Sequence, residues 1–281
     1  MAPLPAHHTK HLRSLSYSFG ISSFSLSQLD DGRSNGTALW LGAQCLSLFL
    51  ADIHKRLFTA NTNPPRVVEL GSGIGLMALA LSSLGCDVLA TDVKDVTSTV
   101  LLQNIAANSA QLPINAGSIQ VRELDWTVPP DHWTWHNDNV IAAAGPLNPP
   151  SPSGSSVHLL NPPFDLIVSS DTLYSPELTQ PLLRSIRALC IASAHAYSPP
   201  RTRGPPVYLC LERRDSSLID QALLDARDTW GFRVERIPHK KVAKAMEKGG
   251  LKWHKDDWAG VEIWKLTLEF PQRENLESVA N

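Results

Sequence analysis

The stretch Val67-Val68-Glu69-Leu70-Gly71-Ser72-Gly73-Ile74-Gly75 constrains this chain more than any other. Three apolar positions and one acid lead into three glycines at alternate places, and the apolar run Leu76-Met77-Ala78-Leu79-Ala80-Leu81 follows. That order reads as a buried strand, a tight turn and a helix start. Glycine reaches positive φ without a steric penalty and lets another molecule approach the backbone closely. A helix N-terminus adds unpaired N–H groups and the positive end of the helix dipole. The stretch is therefore expected to be the first strand of an α/β sheet, ending in a cradle for a nucleotide-type cofactor.

The glycine spacing separates the nucleotide classes. A dinucleotide fingerprint needs Gly-x-Gly-x-x-Gly/Ala, and here the third glycine comes one place early. No Gly-Lys-Ser/Thr follows, so the P-loop pattern is also missing. The arrangement Glu-x-Gly-x-Gly-x-Gly resembles motif I of S-adenosylmethionine-dependent methyltransferases. That cofactor has no pyrophosphate, and its methionine end carries an amino and a carboxylate group. The amides at Gly71, Gly73 and Gly75 suit the carboxylate side. Glu69 can orient neighbouring backbone or ammonium donors.

Further strand ends carry matching chemistry. Asp87 to Thr91 reads as a second strand closing on Asp92, seventeen residues after Gly75. A carboxylate there can accept from both hydroxyls of an adenosine ribose. A helix is expected over about Val96–Asn108, with Val100, Leu101, Ile105 and Ala106 inward. The strand Ile119–Leu124 ends in Asp125-Trp126: Asp125 can accept from an adenine amino group and Trp126 can pack on the ring, or the pair forms a capped turn with a buried tryptophan. Upstream, a helix beginning near Trp40 keeps Leu39, Cys45, Leu46, Phe49, Leu50 and Ile53 on one face. Trp40, in its first turn, is either a core anchor or a ring over the cofactor mouth.

The fourth strand, Phe164 to Val168, is followed by Ser169-Ser170-Asp171-Thr172-Leu173-Tyr174. Ligands of open α/β sheets bind outside the carboxyl ends of the strands, so Asp171 and Tyr174 stand where a methyl acceptor would arrive. Asn161-Pro162-Pro163-Phe164 resembles the catalytic string of some amide and exocyclic-amine methyltransferases, but it precedes its strand rather than following it and reads as a decoy. A helix from Glu177 to about Ala192, a fifth strand Val207–Leu211, a helix capped by Asp215 or Ser216, and alternating strands at Phe232–Ile237 and Val261–Phe270 complete the pattern. The Lys-rich stretch between the last two strands reads as a solvated helix and loop, with the substrate rim as the other reading.

The composition fits one large domain, since 43% of 281 residues are hydrophobic. The expected division is a variable leader at 1–30, one domain at 31–270 with Pro-rich insertions at about 127–163 and 193–206, and a tail at 271–281. A net charge of −2 gives no bulk attraction to nucleic acid, and no apolar run reaches a membrane span of ~20 residues. Four isolated cysteines read as reduced core residues of an intracellular protein. No metal is expected, and His7, His8 and His11 read as solvated. Residues 1–30, with weak alternation at Tyr17, Phe19, Ile21, Phe24 and Leu26, could form a tail and then a short edge hairpin. The compartment expected is the cytoplasm, with the nucleus as a second site and a mitochondrial leader as the minority reading of 1–30.

Taken together, Glu69 to Gly75, Asp92, Asp125-Trp126, Ser170-Asp171-x-x-Tyr174 and Trp40 resemble the seven-strand protein lysine methyltransferases outside the SET class. The likeness runs from about Gly36 to Phe270. It implies a Rossmann-like α/β fold, a seven-stranded mostly parallel sheet with one antiparallel strand and helices on both faces. It implies S-adenosyl-L-methionine as cofactor, contacted by Trp40, Gly71, Ser72, Gly73, Asp92, Trp126 and Ser170, with Asp171 and Tyr174 bordering the lysine. The implied partner is a protein substrate such as a translation factor or chaperone, met by a monomer. A small-molecule N-methyltransferase, a non-catalytic cofactor-binding module and, more distantly, a nicotinamide dehydrogenase are the competing readings.

Overall fold

The computed structural model describes residues 3–29, 35–59, 63–145 and 158–270. The expected tail at 271–281, most of the turn at 31–35, part of the linker at 61–65 and the centre of the first insertion lie outside the described residues.

Among the described residues the chain forms ten strands and seven helices. The hairpin β1 (Ser14–Phe19) and β2 (Ser22–Ser27) comes first, then α1 (Leu41–Leu57), β3 (Arg66–Leu70), α2 (Leu76–Ser83) and β4 (Asp87–Asp92). Next come α3 (Lys94–Val96), a π turn at Thr97–Leu101, α4 (Leu102–Asn108), β5 (Ile119–Leu124) and β6 (Val140–Ala142). The chain then forms β7 (Leu166–Ser170), α5 (Pro176–His195), β8 (Val207–Glu212), α6 (Ser216–Asp228), β9 (Phe232–Arg236), α7 (His239–Lys248) and β10 (Val261–Leu268).

The main sheet has the order β6-β5-β4-β3-β7-β8-β10-β9. Neighbours from β6 to β8 run parallel, and β10 is antiparallel to both β8 and β9. The sheet therefore has eight strands rather than seven. The additional one, β6, lies inside the first insertion, where low periodicity gave no strand signal, and it pairs with the edge of β5 across a register shift. Val67, Val68 and Leu70 of β3 are fully buried, as expected for a central strand covered on both faces. From β3 the chain builds outward through β4 and β5, then returns to β7 on the other side. That reversal opens a crevice at the carboxyl ends of β3 and β7.

The N-terminal hairpin is its own two-stranded sheet rather than an edge of the main one. Leu15, Tyr17, Phe19, Phe24 and Leu26 are buried and the alternating serines mostly point out, while Ile21 at the tip is exposed. The hairpin leans on α2 and α4. Asn104 receives the Ser27 amide on Oδ1 (2.8 Å) and donates to the carbonyls of Ser27 (3.0 Å) and Ile74 (2.9 Å). Asn108, one turn on, receives the Ser25 amide (2.7 Å) and donates to Ser25 O (2.8 Å). Two asparagines thus act as a rung for the free edge of β2. They take the inward helix positions where Ala106 had been expected; Ala106 is exposed.

The insertions are tied down away from the crevice. Arg122 on β5 is fully buried and donates to Leu160 O (2.7 Å) and Gln120 Oε1 (2.9 Å). The Asn161 side chain lies against Arg122, and Phe164 is core, which accounts for the Asn-Pro-Pro-Phe string structurally. The second insertion closes by Gly204 N donating to Leu268 O (2.9 Å), at the amino end of β8. Helix α7 buries Val242, Ala245 and Met246 against α1 and points its lysines outward. No helix among the described residues is long and apolar enough to cross a membrane.

Candidate active site

A cavity of about 330 Å³ occupies the crevice at the strand ends. Nine of the twelve residues singled out from the sequence line it: Trp40, Gly71, Gly73, Asp92, Asp125, Trp126, Ser170, Asp171 and Tyr174. Glu69, Ser72 and Gly75 do not.

The glycine turn forms one wall. Gly71, Gly73 and Gly75 all have positive φ (75°, 54° and 89°). A Cβ on Gly71 would stand 2.6 Å from Thr172 Cγ2 and 3.3 Å from the Trp126 ring. The turn folds back on β4, with the amides of Gly71 and Ser72 both donating to Thr91 O (2.9 Å each). Gly75 faces away: a Cβ there would meet Leu101 Cδ1 at 2.9 Å, so it seats the turn on the helix beginning at Lys94. Glu69 is buried beneath the turn. Burial drives its pKa well above the usual carboxylate range, against the opposing pull of Ser72 and the Ala78 amide.

Asp92 is the turn's electrostatic partner. Its Oδ2 accepts from Gly73 N (2.9 Å) and its Oδ1 from Val93 N (2.8 Å). Burial lifts its pKa to about 6, opposed by those two amides. Each oxygen keeps a lone pair at the cavity wall. Asp125 takes both the amide (2.9 Å) and the hydroxyl (2.7 Å) of Thr127 on Oδ1, forming the capped turn that exposes Trp126 to the cavity. The Trp126 Nε1–H is buried without a partner among the described residues. An orphaned indole donor, a wall that tolerates no Cβ, and a strand-end carboxylate with free lone pairs suit a polar adenosine-bearing ligand.

Asp171 sits at the other end with φ 55°, alone among the described non-glycine residues at positive φ. Its Oδ2 accepts from Gly42 N at 2.6 Å. Trp40, the N-cap residue of α1, gives no side-chain cap, so Asp171 reaches across from the end of β7 to supply one. Burial raises the Asp171 pKa to about 7; Glu212 pushes it further up, while the Gly42 amide and Arg214 pull it down. Gly42 is required there, because a Cβ would overlap that carboxylate. Tyr174 stands at the rim, 51% exposed. Its phenol pKa is raised by partial burial and by Asp92.

Sequence reasoning passed over the end of β8. Glu212, Arg214 and Asp215 line the cavity with Leu211 and Leu218. Their position directly after a predicted parallel strand was the available signal. Arg214 Nε donates to Glu212 Oε2 (3.0 Å), and its guanidinium lies 4.6 Å from the Trp40 ring centre. None of the residues lining the cavity comes from the 193–206 insertion or from the described part of 127–163. At the opposite end of the chain, the His7 and His8 rings and Asp257 bring ligand atoms within 4.8 Å of one another, a convergence that spacing alone did not foretell.

A seven-strand core in this order, with a glycine turn and an acid at the ends of its first two strands, defines a Rossmann-like fold of the methyltransferase kind. Residues 24–145 match the model of a family described as lysine methyltransferase. It is 29% identical over 168 residues to the mouse protein-lysine methyltransferase METTL21E, covering 58% of this chain and 55% of that one. Over 154 residues it is 27% identical to mouse methyltransferase-like protein 22, covering 55% and 35%. The fission-yeast protein-lysine N-methyltransferase rrg1 is 32% identical over 114 residues, covering 40% and 30%. The chain thus spans about half the length, or less, of the curated relatives it matches. A solved methyltransferase from Pyrococcus furiosus aligns over 94% of this chain and 93% of its own, with 15% identity and a TM-score of 0.44.

Proposed function

We propose that this chain uses S-adenosyl-L-methionine to methylate a lysine side-chain nitrogen of another protein. The observation that carries the reading is one cavity with two chemically different ends. Asp92, the glycine turn and Trp126 form the end suited to the cofactor. Asp171, Tyr174, Glu212 and Asp215 form the end suited to a cationic amine. The names of the matched relatives support the same reading.

Asp92 would hold the ribose hydroxyls, Trp126 would pack on the adenine, and Gly71, Gly73, Trp40 and Ser170 would enclose the rest. Bound there, the cofactor's sulfonium supplies an electrophilic methyl group. The chain's own residues then have two tasks. Lysine, with a pKa near 10.4, arrives as an ammonium and must lose a proton before it can attack. The carboxylates of Asp171, Glu212 and Asp215 draw the cation in. Leu173, Leu178, Leu211 and Leu218 line the wall and exclude water, which favours the neutral amine. Asp171, whose pKa of about 7 leaves it part-ionised at neutral pH, can accept a hydrogen bond from the amine and share the departing proton. The exposed Tyr174 ring offers a cation–π face at the mouth. Alignment of the two reacting atoms supplies most of the acceleration.

None of the described insertion residues lines the cavity, and Tyr174 at its rim is exposed, which supports an acceptor lysine carried on a folded protein. The proposal extends to a cytoplasmic monomer acting on a protein such as a translation factor or chaperone. Calorimetric titration with S-adenosylmethionine tests the cofactor half. Asp92→Asn should bind about tenfold or more weakly, because a charge-assisted contact worth about 1.5–3 kcal/mol is lost. Absence of binding by the unmodified chain would remove the proposal.

A further inference from the structure

Two buried glutamines hold the N-terminal residues across the front of the domain. Gln44 of α1 accepts the Ala6 amide on Oε1 (2.8 Å) and donates to Leu4 O (2.9 Å). Gln28 donates from one nitrogen to Thr9 O (2.9 Å) and Leu12 O (2.8 Å), and its oxygen accepts from Leu39 N (2.7 Å). Both side chains are almost wholly out of solvent, so breaking these bonds would leave amide groups buried and unpaired. Gln28 thereby fixes the turn that carries Lys10 to the residue next to Trp40.

That turn places the Lys10 ammonium over the Trp40 ring, with Nζ 2.9 Å from its centre. The Trp40 indole is itself oriented by donating Nε1–H to Asn35 O (2.6 Å). Trp40 lines the same cavity as Asp171 and Tyr174. A lysine cation is therefore stationed on a ring that lines a site whose chemistry is suited to lysine; Lys10 itself is outside the cavity lining, and Arg214 shares the ring.

We propose that Lys10 is a methyl acceptor within the enzyme's own chain, presented in cis at the Trp40 edge of the cavity. The inference rests on the methyltransferase reading above. In the step, Lys10 first releases a proton to water. Its Nζ lone pair then forms an N–C bond to the methyl group as the C–S bond breaks. The bonding pair goes to sulfur, leaving S-adenosylhomocysteine, and protonation restores a methylated ammonium. The product keeps its positive charge. A quaternary ammonium suits an aromatic face well, so methylated Lys10 stays on Trp40.

The test uses the full chain, S-adenosylmethionine carrying a deuterated methyl group, and peptide mass mapping. Label should appear on Lys10, should be absent from that position in Lys10→Arg, and should accumulate at a rate per molecule that dilution leaves unchanged. A second readout needs no cofactor: water-soluble acetylating reagent should modify Lys10 several-fold faster in Trp40→Leu than in the unmodified chain. Label on other lysines only, a rate that falls on dilution, or equal acetylation in the two proteins would overturn the inference. If the same preparation labels lysate proteins while Lys10 stays bare, the inference fails and the proposed function stands. If calorimetry shows no cofactor binding, both fail together.

Discussion

Asp171 both caps a helix and lines the cavity with one carboxylate: its Oδ2 caps α1 through Gly42. Asp171→Ala should remove the cap and cost about 1 kcal/mol in a denaturant melt, whereas Asp171→Asn keeps an oxygen for the Gly42 amide and should cost less. The carboxyl's folded-state pKa, about 7, lies above its ordinary value of 3.8. Between those values the folded chain binds more protons than the unfolded one, so this group's contribution is fully present below about 3.8 and is lost as pH rises through about 7. Stability curves of Asp171→Asn should therefore fall less over that window than those of the unmodified chain. An unchanged slope would show that Asp171 does not titrate there. Gly71 makes a second residue-scale case. With φ 75° and a Cβ position 2.6 Å from Thr172, Gly71→Ala should destabilise by roughly 1–3 kcal/mol. It should also weaken cofactor binding by more than Gly75→Ala, and paired melts and titrations of the two variants would show it.

At the scale of elements, the sequence was most readable where one signal had one physical cause. The β3 turn, the acid closing β4 and the strand-end position of Asp171 follow from burial period and chain order, and each stands on the cavity wall. Gly75 shows the limit: the same conformational need that marks a cradle glycine also marks one that seats a helix against Leu101. Asn104 and Asn108 were illegible, because a buried asparagine in a helix makes sense only once the free edge of β2 is known to lie beside it. The same holds for Gln28 and Gln44, whose partners are backbone groups 11 to 40 residues away. Asn104→Leu should release the hairpin from α4, costing about 2–4 kcal/mol from lost and unpaired amide hydrogen bonds. Amide hydrogen exchange at Ser25 and Ser27 should accelerate well before that of β3; equal protection would contradict the asparagine rung.

Across the whole molecule, the order of strands decides where chemistry can occur. β3 and β7 pair at the sheet's reversal, and the cavity is walled by strand ends, the loops and helix starts that follow them, and Asn35 and Gly36. β6 was missed because its three residues sit among prolines and asparagines with no period to read. None of the described residues of the Pro-rich insertions lines the cavity. Tyr174 is exposed at the rim of that cavity. The measurement that meets the central claim most directly is transfer of radiolabel from S-adenosylmethionine into a cell lysate, followed by hydrolysis of the labelled proteins and separation of their amino acids. Discrete protein bands whose label resides in methyl-lysine, lost with Tyr174→Phe and Asp171→Asn together, are the predicted result. Label confined to small molecules, or found in another amino acid, would contradict a protein lysine methyltransferase.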